Sequence, residues 1–276
     1  MDPGIVVRRL RGAGVPTLEI LEAGPRGAGA PLLLVHGAFA GAWTWAERLM
    51  PFLARRGRHV LAVSLRGHGG SEGHDALQGT GLADYGADLR RVLAELPAPP
   101  VVVGHSLGGL IAQQALGRAA LRGLVLVGSL PPEGLAFIAP RLAFTEPGTF
   151  AEALMGSLGQ ARAPVSDAHW RMLFSEGLLP EQAARYAARM QPESPRALAE
   201  ALWPGPVASA AMLGVPALVL AGGGDRLVLA VSSMRTAVYH GARLRFFPEM
   251  GHFLMLDPTA EDAARALLDW LDDRGL

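Results

Sequence analysis

The stretch VVVGHSLGG, residues 101–109, is an apolar run that leads into a serine flanked by glycines. Residues 104–108 match the pattern G-x-S-x-G, and GLIAQQAL follows with apolar residues at helical spacing. A strand, a glycine-lined sharp turn and a helix in this order are typical of a nucleophile elbow, which presents a serine hydroxyl at the positive end of the helix. The alternative is a close-packed turn without a catalytic role. The pattern makes Ser106 the candidate nucleophile.

Other short apolar runs without helical period, bounded by Gly or Pro, predict further strands. They occupy residues 32–35, 60–63, 124–127 and 217–221. Amphipathic stretches that predict helices occupy residues 43–55, 82–96, 107–116 and 232–239. Strands that alternate with such helices are typical of a doubly wound sheet, and residues 5–10 and 17–22 would add an antiparallel hairpin at its edge. The predicted class is α/β, with a mostly parallel sheet of about eight strands flanked by helices.

The alternation stops after Leu130. From residue 131 to 206 several helical pieces are separated by Pro and Gly, and strand-like sequence resumes at Val215. The pattern predicts a helical cap over residues 131–206, inserted into a core of residues 1–130 and 207–276. The closing helix would have Asp257 as its N-cap, because Pro258 suits the first position of a helix.

The composition limits the chemistry and the partners. The chain has 276 residues with no cysteine and no lysine, and its 25 arginines balance 25 acidic residues to a net charge of +0. Thiol nucleophiles, disulfides, thiolate metal sites and lysine Schiff bases are excluded, and the neutral balance argues against nucleic acid or a membrane surface as partner. Residues 1–12 lack the charged start and apolar stretch of a signal peptide. We expect a cytoplasmic protein with a small neutral or apolar ligand.

A serine hydroxyl needs a base that removes its proton, and eight histidines are candidates. His252 is favoured because it follows the strand-like run RLRFF and would lie at the same end of the sheet as Ser106. His105 neighbours the serine on a sharp turn, so its side chain should point elsewhere, and His36 is expected to hold a turn. The other histidines have loop-bracing, surface or unassigned roles: His59, His68, His74, His169 and His240.

The base in turn needs an acid that fixes its tautomer. Asp225 follows the buried run PALVLAGGG at a strand end, although it could instead cap the next helix. Asp257 is nearer to His252 in sequence, but its place before Pro258 already explains it. Asp225 is therefore favoured.

Acyl transfer also needs donors for the negative oxygen that develops on the substrate. LLLVHGAFAGAWTW, residues 32–45, has the pattern of a strand, a Gly-containing turn and a helix. Its backbone N–H groups could face the same space as that of Leu107. Ala38 is favoured as the second donor, with Phe39 as the reserve.

Together these residues resemble the α/β-hydrolase family over almost the whole chain. The order Ser106, Asp225, His252 is similar to that family's order of nucleophile, acid and histidine, and HGAFAGAW resembles its oxyanion turn. SLRGHGGSEG, residues 64–73, resembles a structural loop that often has Asp where Ser64 stands. The resemblance implies a capped serine esterase that acts on a small to medium hydrophobic carboxylic ester through an acyl-serine, without a metal or organic cofactor.

Large apolar side chains are candidate substrate contacts. Phe39 and Phe253 flank the oxyanion turn and the base, and Trp170 and Trp203 belong to the predicted cap. Other large apolar residues of the cap are Met155, Met172 and Phe174. Cap helices must also bury such side chains against one another, so either role suits the cap residues.

Several other functions share these features. Thioester, lactone or amide hydrolysis would use the same mechanism. A small-molecule receptor could keep the triad without turnover, and a cofactor-free lyase or oxygenase could use His252 as its base while Ser106 only positions the substrate. Relatives with an aspartate nucleophile are disfavoured by Ser106. Plant-type hydroxynitrile lyases are disfavoured by Phe253, since they typically carry a lysine beside the histidine.

Overall fold

Eight strands form one sheet in the order β1-β2-β4-β3-β5-β6-β7-β8. The computed structural model describes residues 4–27, 29–157 and 171–276. The strands are β1 (Val6–Leu10), β2 (Leu18–Ala23), β3 (Leu32–Val35), β4 (Val60–Ser64), β5 (Val101–His105), β6 (Gly123–Val127), β7 (Ala217–Gly222) and β8 (Arg243–Phe247). β2 pairs antiparallel with β1 and β4, and the other pairs are parallel. The α/β class, the mostly parallel sheet and the edge hairpin are confirmed.

The central strands are apolar throughout because helices cover both faces of the sheet. Every residue of β3, β4, β5, β6 and β7 is buried. Val35 of β3 pairs with Gly104 of β5, and Gly104 pairs with Leu126 of β6. The loops that follow these parallel strands therefore leave the sheet at one end.

The helices divide between the two faces. Their bounds are α1 (Trp43–Ala46), α2 (Leu49–Arg55), α3 (Leu82–Ala94), α4 (Ser106–Ala115), α5 (Ile138–Thr145), α6 (Pro147–Ser157), α7 (Pro180–Ala187), α8 (Pro195–Leu202), α9 (Ala230–His240) and α10 (Ala260–Arg274). One apolar layer joins α1, α2 and α10 to the sheet around Trp45 and Trp270. The other joins α3, α4 and α9 around Tyr85. This double covering is the doubly wound arrangement that the alternating pattern predicts.

In its described residues, the chain between β6 and β7 consists of helices joined by turns and loops. Helices α5, α6, α7 and α8 lie there together with the helical residues 171–173, and no strand occurs in its described residues. The segment is anchored to the core, since Arg141 donates 2.9 Å hydrogen bonds to the carbonyls of Arg226 and Leu227. The division into a core and a cap at residues 131 and 206 stays a prediction.

The closing helix begins two residues later than predicted. The first residue of α10 is Ala260, and Pro258 precedes the helix. Asp257 Oδ1 instead accepts hydrogen bonds from the backbone N–H (3.0 Å) and the hydroxyl (2.8 Å) of Thr259. The expected N-cap is therefore wrong, because Asp257 closes a local turn ahead of the helix. None of the helices in the described ranges is long and apolar enough to cross a membrane.

Candidate active site

Ser106 occupies a strained turn between β5 and α4. Its φ is 50°, a left-handed conformation that side chains rarely adopt. The turn packs so closely that side chains are excluded beside it: a Cβ on Gly108 would lie 2.2 Å from the His36 carbonyl oxygen, and one on Gly104 would lie 2.6 Å from the Gly108 oxygen. The glycines around Ser106 are therefore required by contact between β3, β5 and α4.

Asp225 and His252 lie in the loops that follow β7 and β8. His252 Nδ1 donates a 2.8 Å hydrogen bond to Asp225 Oδ2, and both side chains are buried. With its proton on Nδ1, the imidazole keeps the Nε2 lone pair as its basic site. The structure joins His252 to Asp225, while Asp257 binds Thr259.

The elbow and the Asp225–His252 pair meet at the carboxyl ends of the strands. The His105 ring, next to Ser106 in the chain, lies 4.7 Å from the His252 ring, centroid to centroid. A Cβ on Gly128, just after β6, would lie 3.4 Å from both Asp225 Oδ2 and His252 Nδ1. Loops after β5, β6, β7 and β8 thus converge on one place, as expected for a ligand site of an open α/β sheet.

His105 packs beneath His252. Its Nε2–H donates a 3.1 Å hydrogen bond to the His252 carbonyl oxygen. Burial, together with the positive charge that His252 can carry, holds the pKa of His105 well below its ordinary value. His105 therefore stays neutral, and it fixes the His252 backbone without competing for a proton.

The turn between β3 and α1 lies directly against the elbow. A Cβ on Gly37 would come within 2.8 Å of the Ser106 Cβ, and the next two residues, Ala38 and Phe39, are half-buried. Phe39 has a φ of 62°, a second left-handed non-glycine residue. Leu107 lies in the first turn of α4, where a backbone N–H has no intrahelical acceptor. The structure thus places the turn that carries Ala38 against Ser106, and Leu107 follows Ser106 directly in α4.

His36 holds this turn, as the sequence suggests. Its Nε2 accepts the backbone N–H of Leu65 at 3.0 Å, and its Nδ1–H donates to the Gly37 carbonyl oxygen at 2.8 Å. Burial, reinforced by the nearby His68, lowers the pKa of His36 to about 3. The ring is neutral and links the ends of β3 and β4.

The candidate substrate contacts differ in their placement. Phe39 is half-buried on the turn, whereas Phe253 is only 4% exposed and stacks on Phe174 with 5.4 Å between ring centroids. Trp203, at the end of α8, is 79% exposed. This exposure does not support its predicted contact with the substrate. Trp170 lies outside the described residues. The buried Phe253 ring also lies 4.7 Å from the His105 ring, so it packs behind the site.

A buried polar cluster near the site was missed by the sequence analysis. Glu193, in the linker between α7 and α8, is 1% exposed. Its Oε2 atom lies 3.3 Å from His68 Nε2. Tyr85 donates its hydroxyl to Glu193 Oε1 at 2.5 Å. Burial lowers the pKa of His68, but the Glu193 carboxylate more than compensates, so the net shift is upward. Glu193 stands in the polar string QPESP, which resembles a solvated linker, and no local pattern marks it as buried.

The described residues contain no group of three or more His, Cys, Asp or Glu side chains that could hold a metal ion. Polar groups of the described residues at this end of the sheet include Ser106, the Asp225–His252 pair and the backbone of the 37–40 turn.

Known proteins are similar to this chain in sequence. A non-heme haloperoxidase from Rhodococcus erythropolis is 29% identical over 257 residues, which cover 82% of this chain and 86% of that protein. Protein phosphatase methylesterase 1 from Mus musculus is 32% identical over 102 residues, 36% of this chain and 26% of that protein. The similarity extends over most of the haloperoxidase and over about a quarter of the methylesterase.

Solved structures share the fold. A thermophilic esterase from Thermogutta terrifontis superposes with a TM-score of 0.72 at 22% identity, covering 98% of this chain and 99% of the other. An esterase from Exiguobacterium antarcticum gives 0.72 at 18% identity, covering 97% and 100%. The model of the alpha/beta hydrolase family matches residues 32–264. The chain therefore belongs to the alpha/beta hydrolase family and is a hydrolase.

Proposed function

We propose that this protein hydrolyses small to medium hydrophobic carboxylic esters through an acyl-serine intermediate. The observation that carries the proposal is the 2.8 Å hydrogen bond between His252 Nδ1 and Asp225 Oδ2, buried beside the strained Ser106 elbow. A carboxylate-oriented histidine next to a serine on such a turn is the arrangement that activates a hydroxyl for attack on a carbonyl. Esterases among the solved structures of this fold agree with that chemistry.

The proposed mechanism gives each of these groups one role. His252 Nε2 takes the proton of Ser106 as its Oγ attacks the ester carbonyl, and Asp225 stabilises the imidazolium. The backbone N–H groups of Leu107 and Ala38 hold the oxyanion, and loss of one such donor costs about 100-fold or more in rate. His252 then protonates the departing alcohol. Water activated by the same nitrogen releases the acid and restores Ser106.

The surroundings of the site favour an uncharged, apolar substrate. The rings that pack around His252 belong to His105, held neutral by burial, and Phe253. Phe39 on the turn is partly exposed and offers an apolar surface next to the oxyanion donors. Against these described rings a charged acyl group would lose its hydration, whereas a hydrocarbon or aromatic group would bury apolar area.

A panel of p-nitrophenyl esters of increasing acyl length, with thioesters and lactones, tests the proposal together with a fluorophosphonate probe. We expect turnover of medium-length esters and labelling of Ser106. The Ser106→Ala variant should lose at least about 1,000-fold in kcat and all labelling, because no other group replaces the nucleophile. Ser232→Ala, in α9, is the matched control and should behave like the wild type.

The other outcomes separate the competing functions. Thioester or lactone turnover with ester inactivity would keep the mechanism and change the substrate class. If Ser106→Ala kept much of the rate, His252 would be acting as the base of a lyase or oxygenase. A protein that binds small molecules equally well with and without Ser106, and turns over no acyl substrate, would be a receptor.

A further inference from the structure

Gln191, in the linker between α7 and α8, touches the turn that carries the proposed oxyanion donor. Its backbone N–H donates a 3.1 Å hydrogen bond to the Phe39 carbonyl oxygen. Its side chain bridges a second loop, because Oε1 accepts the Gly69 N–H at 2.8 Å and Nε2 donates to the Gly67 oxygen at 2.7 Å. One residue of the helical insertion thus makes three hydrogen bonds to two loops of the sheet.

The turn needs such a constraint. Phe39 has a φ of 62°, and a non-glycine residue stays in this conformation only when its surroundings hold it there. The turn also rests on the loop that Gln191 binds: a Cβ on Gly41 would lie 3.3 Å from the Gly69 Cα. Gln191 therefore fixes both the strained peptide and the loop beneath it.

Gln191 is itself held in place by its neighbours. Two residues further on, the buried Glu193 accepts the Tyr85 hydroxyl at 2.5 Å and pairs with His68. Ser194 donates its hydroxyl to the Thr80 carbonyl oxygen at 2.5 Å. The segment from 191 to 194 is thus attached to the core by buried polar contacts, which sets the position of Gln191.

We propose that Gln191 is a positioning residue, which holds the 37–40 turn so that the Ala38 N–H faces the developing oxyanion. The inference rests on the proposed function, since the direction of that N–H affects a rate only if the site performs acyl transfer. Gln191 acts through Phe39 and does not touch the reacting atoms. Its loss should therefore weaken stabilisation of the transition state more than binding of the substrate.

Gln191→Met tests the role, because methionine keeps the length of the side chain and removes both side-chain hydrogen bonds to the loop of Gly67 and Gly69. The backbone N–H of residue 191 can still reach the Phe39 oxygen, but the side chain no longer holds it in place. We expect kcat to fall about tenfold for every acyl length while KM changes less than about twofold. A trifluoromethyl ketone, which forms a tetrahedral oxyanion on the serine, should lose affinity in parallel. The matching methyl ketone, which reports ground-state binding, should bind as before.

Hydrogen exchange gives a readout that is independent of activity. Backbone amides of residues 38–40 should exchange at least about tenfold faster in Gln191→Met than in the wild type, because the turn opens more often. Arg185→Gln is the matched control, since Arg185 also links the insertion to the core, through Glu47 at 3.1 Å, without touching the turn. It should leave the exchange of the turn and the ketone affinities unchanged.

The outcomes separate the two proposals. Unchanged exchange in the turn, or equal losses for both ketones, would overturn the positioning role. A wild-type protein with no turnover and no labelling of Ser106 would overturn the proposal of ester hydrolysis through Ser106, and hydrogen exchange would still decide whether Gln191 holds the turn. If Gln191→Met does not fold, Gln191→Glu can replace it, because it keeps the acceptor for the Gly69 N–H. This variant should show the same changes in kcat, ketone affinity and hydrogen exchange, each of smaller size.

Discussion

The two carboxylate oxygens of Asp225 have separate partners. Oδ2 accepts His252 Nδ1 at 2.8 Å, while Oδ1 accepts the backbone N–H groups of Leu227 at 2.9 Å and Val228 at 2.8 Å. The sequence leaves open whether this residue orients a histidine or caps a helix. In the structure α9 begins only at Ala230, and the carboxylate closes a turn ahead of it. The turn fixes the carboxylate that orients the imidazole.

Substitutions at residue 225 should separate these contributions. Asp225→Asn keeps an oxygen for the turn but favours the histidine tautomer with its proton on Nε2, so we expect about a 10⁴-fold loss of kcat with near-normal stability. Asp225→Ala should lose a similar rate and also about 2 kcal/mol of stability, because two buried N–H groups lose their acceptor. Ester kinetics and urea unfolding measure the two effects. If Asp225→Asn kept a tenth of the wild-type rate, the proposed role of Asp225 would be contradicted.

At the scale of elements, the site depends on how closely β3 approaches the β5–α4 junction. Glycines at positions 104 and 108 allow this approach, and no Cβ fits at either position without moving backbone atoms. Gly86, in α3, is different, because its nearest neighbour is the end of the flexible Arg90 side chain at 3.4 Å. The same residue type thus has a packing role in α4 and none in α3.

Alanine substitutions at Gly108 and at Gly86 should have opposite effects on stability. Gly108→Ala would place a methyl group against the His36 carbonyl, so we expect a loss of about 3 kcal/mol and displacement of Ser106. Gly86→Ala should raise the free energy of unfolding by about 0.5–1 kcal/mol, since alanine favours a helix interior. Urea unfolding of both variants measures the difference. Equal stability of the two variants would show that the close approach is less strict than the structure indicates.

For the whole molecule, buried neutral histidines link stability to pH. Burial, with the charge of His68 as a second cause, lowers the pKa of His36 to about 3, and burial lowers that of His240 to about 4. His240 lies between α9 and α4, where its Nε2–H donates to Gln113 Oε1 at 3.1 Å. In the unfolded chain both would titrate near 6.5. Between these values the unfolded state binds more protons, so acid destabilises the fold.

The free energy of unfolding should therefore fall as the pH falls from 7 to 5. Each of the two histidines contributes a loss of about 2 kcal/mol. His68 has a raised pKa and opposes this trend, since its stabilisation is present below the unfolded pKa and is lost as the pH rises through the folded one. His240→Gln removes one titrating group, so denaturant unfolding across this range should have a shallower slope. An unchanged slope of stability against pH would contradict the assignment of His240 as one of the groups that cause the loss of stability in acid.

Much of the core follows from local patterns. Apolar runs bounded by Gly or Pro predicted the central strands, and the G-x-S-x-G motif predicted the turn that Ser106 occupies. These features are visible in the sequence because strand burial and backbone strain depend on neighbouring residues. The start of α10 was placed two residues early, since a turn at Asp257 and a helix cap there have the same local signature.

The remaining features depend on residues far apart in the chain. Local sequence patterns are enough to predict the α/β sheet, the elbow and the order in which Ser106, Asp225 and His252 follow one another. Packing of the folded chain establishes which aspartate meets His252, that Trp203 faces solvent, and that Gln191 and Glu193 reach the loops after β3 and β4. The physical reason is that periodicity and turn chemistry act over a few residues. Contacts of the helical insertion join positions more than 100 residues apart, and packing of the folded chain selects them.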